Sequence, residues 1–135
     1  MGFGTAIAAC FSKFVTFTGR ASRSEYWYFY LFCLICMVGG VILDLALGTA
    51  ITDDDGEFAG GAVFWLTLLV LMLPLLSASV RRLHDTNRSG WWYWIVLIPL
   101  VGPIIFLVWT CIKGTSGPNR FGSDPLGPDV DAVFA

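Results

Sequence analysis

Residues 26–47 read YWYFYLFCLICMVGGVILDLAL. As a helix this stretch is about 33 Å long at 1.5 Å per residue, enough to cross a hydrocarbon core of about 30 Å. Its Phe29, Leu31, Phe32, Leu34, Ile35, Val38, Val41, Ile42, Leu43, Leu45 and Leu47 each favour insertion by about 0.4 kcal/mol, or about 4 kcal/mol together. Asp44 opposes them. Near the end of the run its penalty falls below the roughly 3 kcal/mol of a mid-membrane carboxylate, so insertion wins.

Two further apolar runs follow, Ala62 to Val80 and Trp91 to Ile112. The chain has 135 residues, 56% of them hydrophobic and 13% charged, about half the charged share of a soluble domain. One soluble domain of this size has too little polar surface to cover so much apolar area. The sequence therefore predicts an all-α integral membrane bundle of three hydrophobic segments, 26–47, 62–80 and 91–112. One membrane domain occupies residues 1–125, and an acidic, Gly- and Pro-rich tail, 126–135, is expected to be disordered.

Local signals set the boundaries. Ser22 and Glu25 fit a capping box, which starts the first membrane helix near Arg23, and Gly48 is a natural stop. Pro74 is expected to kink the second helix, and Arg81, Arg82 and His84 suit its C-terminus. Ser89 suits an N-cap for the third run. That run holds Pro99, Gly102 and Pro103, three breakers within five residues. It is either a kinked span or two half-helices, Trp91 to Ile98 and Pro103 to Ile112, that dip into the membrane and return. Re-entrant backbone is tolerated only where protein or water covers it. Ahead of the first span, Phe3, Ile7, Cys10, Phe11, Phe14 and Phe17 recur at helical spacing. They suggest a short amphipathic helix at the membrane surface, followed by a turn at Thr18-Gly19-Arg20. The loop from Gly48 to Gly61 carries Asp53, Asp54, Asp55 and Glu57 and no Lys or Arg. No cleavable signal peptide is expected, because the first long apolar run starts too late and is too long.

Lys13, Arg20 and Arg23 precede the first span, and Arg81, Arg82 and Arg88 lie between the second and third. The positive-inside rule puts the N-terminus and that second loop in the cytoplasm. Three full spans leave Lys113 and Arg120 outside; a re-entrant third run brings every cation inside.

Three polar stretches flank the apolar runs: FTGRASRSEYW at 17–27, RRLHDTNRSGWW at 81–92 and GPNRFGSDP at 117–125. In order and spacing they resemble the DUF805 family of bacterial inner-membrane proteins over about residues 11–125. Ser123 departs from the family pattern, where Pro is usual. The resemblance implies a multi-pass protein of the bacterial inner membrane. It implies no mechanism, since no activity is established for that family.

The candidate polar cluster is Arg20, Arg23, Glu25, Arg81, Arg82, His84, Asp85, Arg88, Asn119 and Arg120, with Asp124 as a further acidic member and Asp44 as a candidate intramembrane acid. One reading is structural: topology anchors, caps and ion pairs. Another is an anion site, since Arg forks suit phosphate and basic pockets beside membrane helices take lipid head groups. Trp27, Trp91, Trp92 and Trp94 fit an interfacial aromatic belt. No catalytic set is expected, because His84 and Asp85 are adjacent on a helix and point about 100° apart. One His and no polar Cys cluster give no metal site, and no cofactor is expected. Cys33 and Cys36 lie in an apolar helix and read as packing residues rather than a redox pair. The function expected is a structural or accessory membrane protein, with an oligomeric transporter or channel using Asp44 and anionic-lipid or small-anion binding as alternatives. Expected partners are membrane lipid, a second copy or another membrane protein; nucleic acid is not among them.

Overall fold

The structure is a computed structural model and describes residues 2–127. Helix α1 (Phe3–Ser12) precedes the long helix α2 (Arg23–Leu47), and an antiparallel hairpin, β1 (Ala50–Thr52) and β2 (Phe58–Gly61), leads into the long helix α3 (Ala62–Asp85). A 3-10 helix (Gly90–Leu97) and helix α4 (Val101–Cys111) complete the chain's regular structure. The expected tail, 126–135, lies almost wholly outside the described residues.

Two helices, α2 and α3, are long and apolar enough to cross a membrane, and only 17% and 28% of their most apolar windows are buried. A soluble core helix of that composition would be mostly covered. Here Ile35, Val38, Ile42, Leu66 and Leu69 are all more than half exposed, while Arg81, Arg82, Asp44 and Ser77 are at most 1% exposed. Apolar side chains outside and charges inside are what a lipid solvent selects.

Helix α2 begins and ends where the sequence predicts. Ser22 accepts a hydrogen bond from the Glu25 backbone N–H at 3.3 Å, and Gly48 closes the helix in the left-handed region at φ 71°. The other half of the expected capping box is absent, because the Glu25 carboxylate is drawn into an ion pair with Arg81 instead of reaching back to Ser22. Helix α3 runs without interruption through Pro74. The two long helices approach closely at Gly40, where a Cβ would lie 3.5 Å from the Phe64 Cα.

Three expectations need correction. The fold is not purely helical: the acidic loop forms the hairpin, with Ala50 opposite Gly61 and a bulge after Ile51. Its tip is an Asx turn in which the Asp53 carboxylate accepts from the Asp55 and Glu57 backbone N–H groups, and Gly56 supplies the positive φ. The N-terminal helix stops at Ser12 rather than running on through Phe17. It docks on α2, burying Ala6 and Cys10 and setting Phe11 edge-on to Phe29 and Phe32. Its Ala6 and Cys10 side therefore meets protein, while Phe3 and Phe11 stay exposed.

The third apolar run is broken as one of the two expected forms requires, but its first half is a 3-10 helix rather than an α-helix. Leu100, at φ 65°, makes the reversal together with Gly102, whose missing Cβ makes room for the Ile95 carbonyl. Gly90 lies against Val80 and His84, and the carbonyls of Thr110 and Ile112 accept from Arg82. Both ends of the run therefore meet the same end of the α2–α3 pair.

Candidate functional site

Ion pairs and carbonyls close that end. Arg82 projects from the last turn of α3, where its charge also suits the helix dipole. Its Nη1 pairs with Asp85 Oδ2, one turn on. The rest of the fork donates to main chain: Nε to the Thr110 carbonyl at 3.1 Å, Nη1 to Ala21 at 3.2 Å, and Nη2 to Ile112. Arg20 grips the other oxygen of Asp85, with Nε 3.0 Å from Oδ1. It also donates to the carbonyls of Gly117 at 2.6 Å and Thr115. The Asp85 carbonyl in turn accepts from the Thr115 N–H at 2.7 Å. Gly114 is required beside it, since a Cβ there would collide with the Asp85 carboxylate.

Arg81 forms a second centre. Its Nη1 pairs with Glu25, its Nη2 lies 3.9 Å from Cys10 Sγ, and its Nε has no partner among the described residues. Burial pushes the Cys10 thiol up to about 11, so it stays protonated beside the Glu25 carboxylate. Together the three guanidiniums face two carboxylates. Around Arg20 and Arg82 the surplus positive charge is answered by carbonyl dipoles.

His84 ties in the last polar stretch. Its ring stacks on Phe121 with centroids 4.0 Å apart and planes 3° apart. Nδ1 lies 3.0 Å from the Gly19 carbonyl, which only accepts, so Nδ1 carries the proton. Asn119 Nδ2 donates to the His84 carbonyl at 3.0 Å. Asp124 does not join the ion pairs. It accepts from the backbone N–H groups of Leu126 and Gly117, and those bonds hold its carboxyl below the usual carboxylate range.

Of the expected cluster, Arg20, Glu25, Arg81, Arg82, His84, Asp85 and Asn119 interlock. Arg23 and Arg120 are exposed at the rim, where Arg23 reaches the Cys111 carbonyl and Arg120 the Asn87 carbonyl. Arg88 lies over the Trp109 ring, 4.6 Å from its centroid. Asp44 sits at the opposite end of α2. Its carboxylate accepts from the Thr49 hydroxyl at 2.6 Å and from the Val63 and Phe64 N–H groups at 3.0 and 2.7 Å. It thereby caps the first turn of α3, which has no side-chain cap of its own at Gly61. Sequence reasoning missed the acceptors Ala21, Thr110, Thr115 and Gly117, because main-chain carbonyls carry no residue signature. It also missed the stacking of Phe121 on His84, for which the aromatic within the third polar stretch was the available signal.

A pair of long apolar helices with its charges gathered inside one end defines a small helical membrane protein. The family model described as protein of unknown function, DUF805, matches residues 14–123, and the chain belongs to that family. It is 42% identical over 115 residues to inner membrane protein YhaI of Escherichia coli K12, covering 84% of this chain and 88% of that one. It is equally similar to inner membrane protein YhaH of the same strain, over 84% and 89% of the two chains. It is 26% identical over 134 residues to the uncharacterized protein YiiR of that strain, over 81% and 85%. No solved structure matches.

Proposed function

We propose that this protein is a non-catalytic structural or accessory component of the inner membrane, with its N-terminus in the cytoplasm and its third apolar run re-entrant. One observation carries the reading: the buried Arg82 and its neighbour Arg20 spend their donors on the chain itself, and the buried Arg81 is paired with Glu25. Guanidiniums engaged by Asp85, Glu25 and main-chain carbonyls hold the three polar stretches together. They leave little for a phosphate or a substrate. The absence of Lys and Arg from the hairpin loop favours an external hairpin. A re-entrant third run is favoured by the contacts of both its ends with the same end of α3, Gly90 against Val80 and His84 and the Thr110 and Ile112 carbonyls on Arg82.

The transporter alternative draws on Asp44, and a buried carboxylate that accepts three bonds, two of them capping α3, is poorly suited to load and release protons. Liposomes holding the purified protein are expected to conduct a broad ion and solute panel no faster than protein-free liposomes. Flux that Asp44→Asn abolishes would instead establish the transporter reading.

A further inference from the structure

Beside the arginine centre lies a cavity of about 460 Å³ whose walls include Phe17, His84, Ser89, Trp91, Tyr93 and Trp94. Among the described residues, no Lys, Arg, Asp or Glu lines it. Its side-chain polar groups come from His84, Ser89, Tyr93 and the two indoles. His84 is only 7% exposed. Its Nδ1 proton is committed to Gly19, and its Nε2 has no partner among the described residues. With the proton on Nδ1, the neutral ring offers a lone pair at Nε2. The cavity thus presents the unpartnered His84 nitrogen beside two indoles and a phenol. An anion would find no cationic side chain in the described lining. An ammonium would find both an acceptor and π surfaces that attract cations.

The cavity does not end at the aromatic ring. A second, apolar cavity of about 330 Å³ shares Leu76, Tyr93 and Trp94 with it and continues past Met72 to Leu68 and Met37. From His84 to Leu68 the track follows about 24 Å of helix. A polar mouth at the charged end of α3, continued by a greasy channel along its lipid-facing length, matches a phospholipid rather than a soluble amine.

We propose that this groove binds a phospholipid with a primary-amine head group, its ammonium donating to His84 Nε2 between Trp91 and Trp94 and one acyl chain lying along α3 toward Leu68. The proposal rests on the membrane reading but not on the structural role of the arginines.

The test is native mass spectrometry of the detergent-purified protein, titrated with phosphatidylethanolamine, phosphatidylcholine and phosphatidylglycerol of identical acyl chains. Phosphatidylcholine keeps the cationic charge but cannot donate a hydrogen bond. Wild-type protein should retain phosphatidylethanolamine about tenfold better than phosphatidylcholine, the worth of one charge-assisted hydrogen bond. In His84→Asn the amide replaces Nδ1 as donor to Gly19 but leaves nothing at Nε2, and the preference should disappear. Trp94→Ala, at a residue 58% exposed, should weaken both zwitterionic lipids. Equal retention of the three lipids, or a preference that survives His84→Asn, overturns the proposal. So does a preference for phosphatidylglycerol, which would point to the exposed cations. Should His84→Asn fail to purify, undiminished phosphatidylethanolamine retention by Trp94→Ala overturns it alone. Failure here leaves the arginine reading untouched, because that is tested by melting.

Discussion

Arg82→Ala should lower the stability of the protein by about 3–5 kcal/mol, the cost of breaking a buried ion pair from one side. The substitution leaves Asp85 with Arg20 alone and strips the carbonyls of Ala21, Thr110 and Ile112 of their donor. These carbonyls belong to the start of α2 and the end of the third apolar run, so three segments loosen together. Arg82→Lys should recover little of the loss. A single ammonium cannot reach a carboxylate and three carbonyls spread around a planar fork. Arg120→Ala, at an exposed residue with one long bond to Asn87, should change stability by less than about 1 kcal/mol. Thermal melting in detergent, followed by tryptophan fluorescence, separates the cases. A drop of about 10 °C or more is expected for Arg82→Ala. Equal melting of Arg82→Ala and Arg120→Ala would mean that the buried arginines do not close the fold.

The second large effect is expected at the other end. Asp44→Ala removes the acceptor for the Thr49 hydroxyl and for two N–H groups in the first turn of α3. Hydrogen bonds to a charged acceptor contribute about 1.5–3 kcal/mol each and are not fully additive, so a loss of about 3 kcal/mol is expected. Asp44→Asn should fall between Ala and wild type. It keeps one oxygen for Thr49 and Val63 but turns an amide donor toward the Phe64 N–H. The graded series is the signature of a cap, because a proton carrier would lose its activity in Asn with its stability intact. Unchanged melting in Asp44→Ala would remove the capping role.

What the sequence revealed and what it hid divide along a physical line. Side chains acting on their own neighbourhood were legible. Ser22 and Gly48 marked both ends of α2, Pro99 and Gly102 marked the break in the third run, and the apolar runs marked the two long helices. Partners distant in sequence were not. Asp44 was legible as an ionisable residue in an apolar helix, but its partners lie across a hairpin at Val63 and Phe64. The hairpin had its own signal in Asp55-Gly56 flanked by Ile51 and Phe58, a turn pair between strand formers, which the acidity of the loop obscured. The cluster was legible as a list, from Arg20 to Arg120. Its internal logic was not, because the acceptors for Arg20 and Arg82 are mostly carbonyls. The 3-10 helix at Gly90–Leu97 was equally hidden, since residues 91–97 carry no breaker and 3-10 runs of that length are uncommon.

The side of the membrane reached by the C-terminus tests the arrangement most directly. Paired reporters fused after Ala135, one active only in the cytoplasm and one only outside it, give the answer in intact cells. A cytoplasmic signal is expected, because Asn119 bonds to the His84 carbonyl and Arg20 to the Gly117 carbonyl. Those contacts require the third polar stretch to share a face with the first two. An external signal would make the third run a full span and set Asn119 and Arg120 across the bilayer from Arg82. The closed arginine centre would then be contradicted outright.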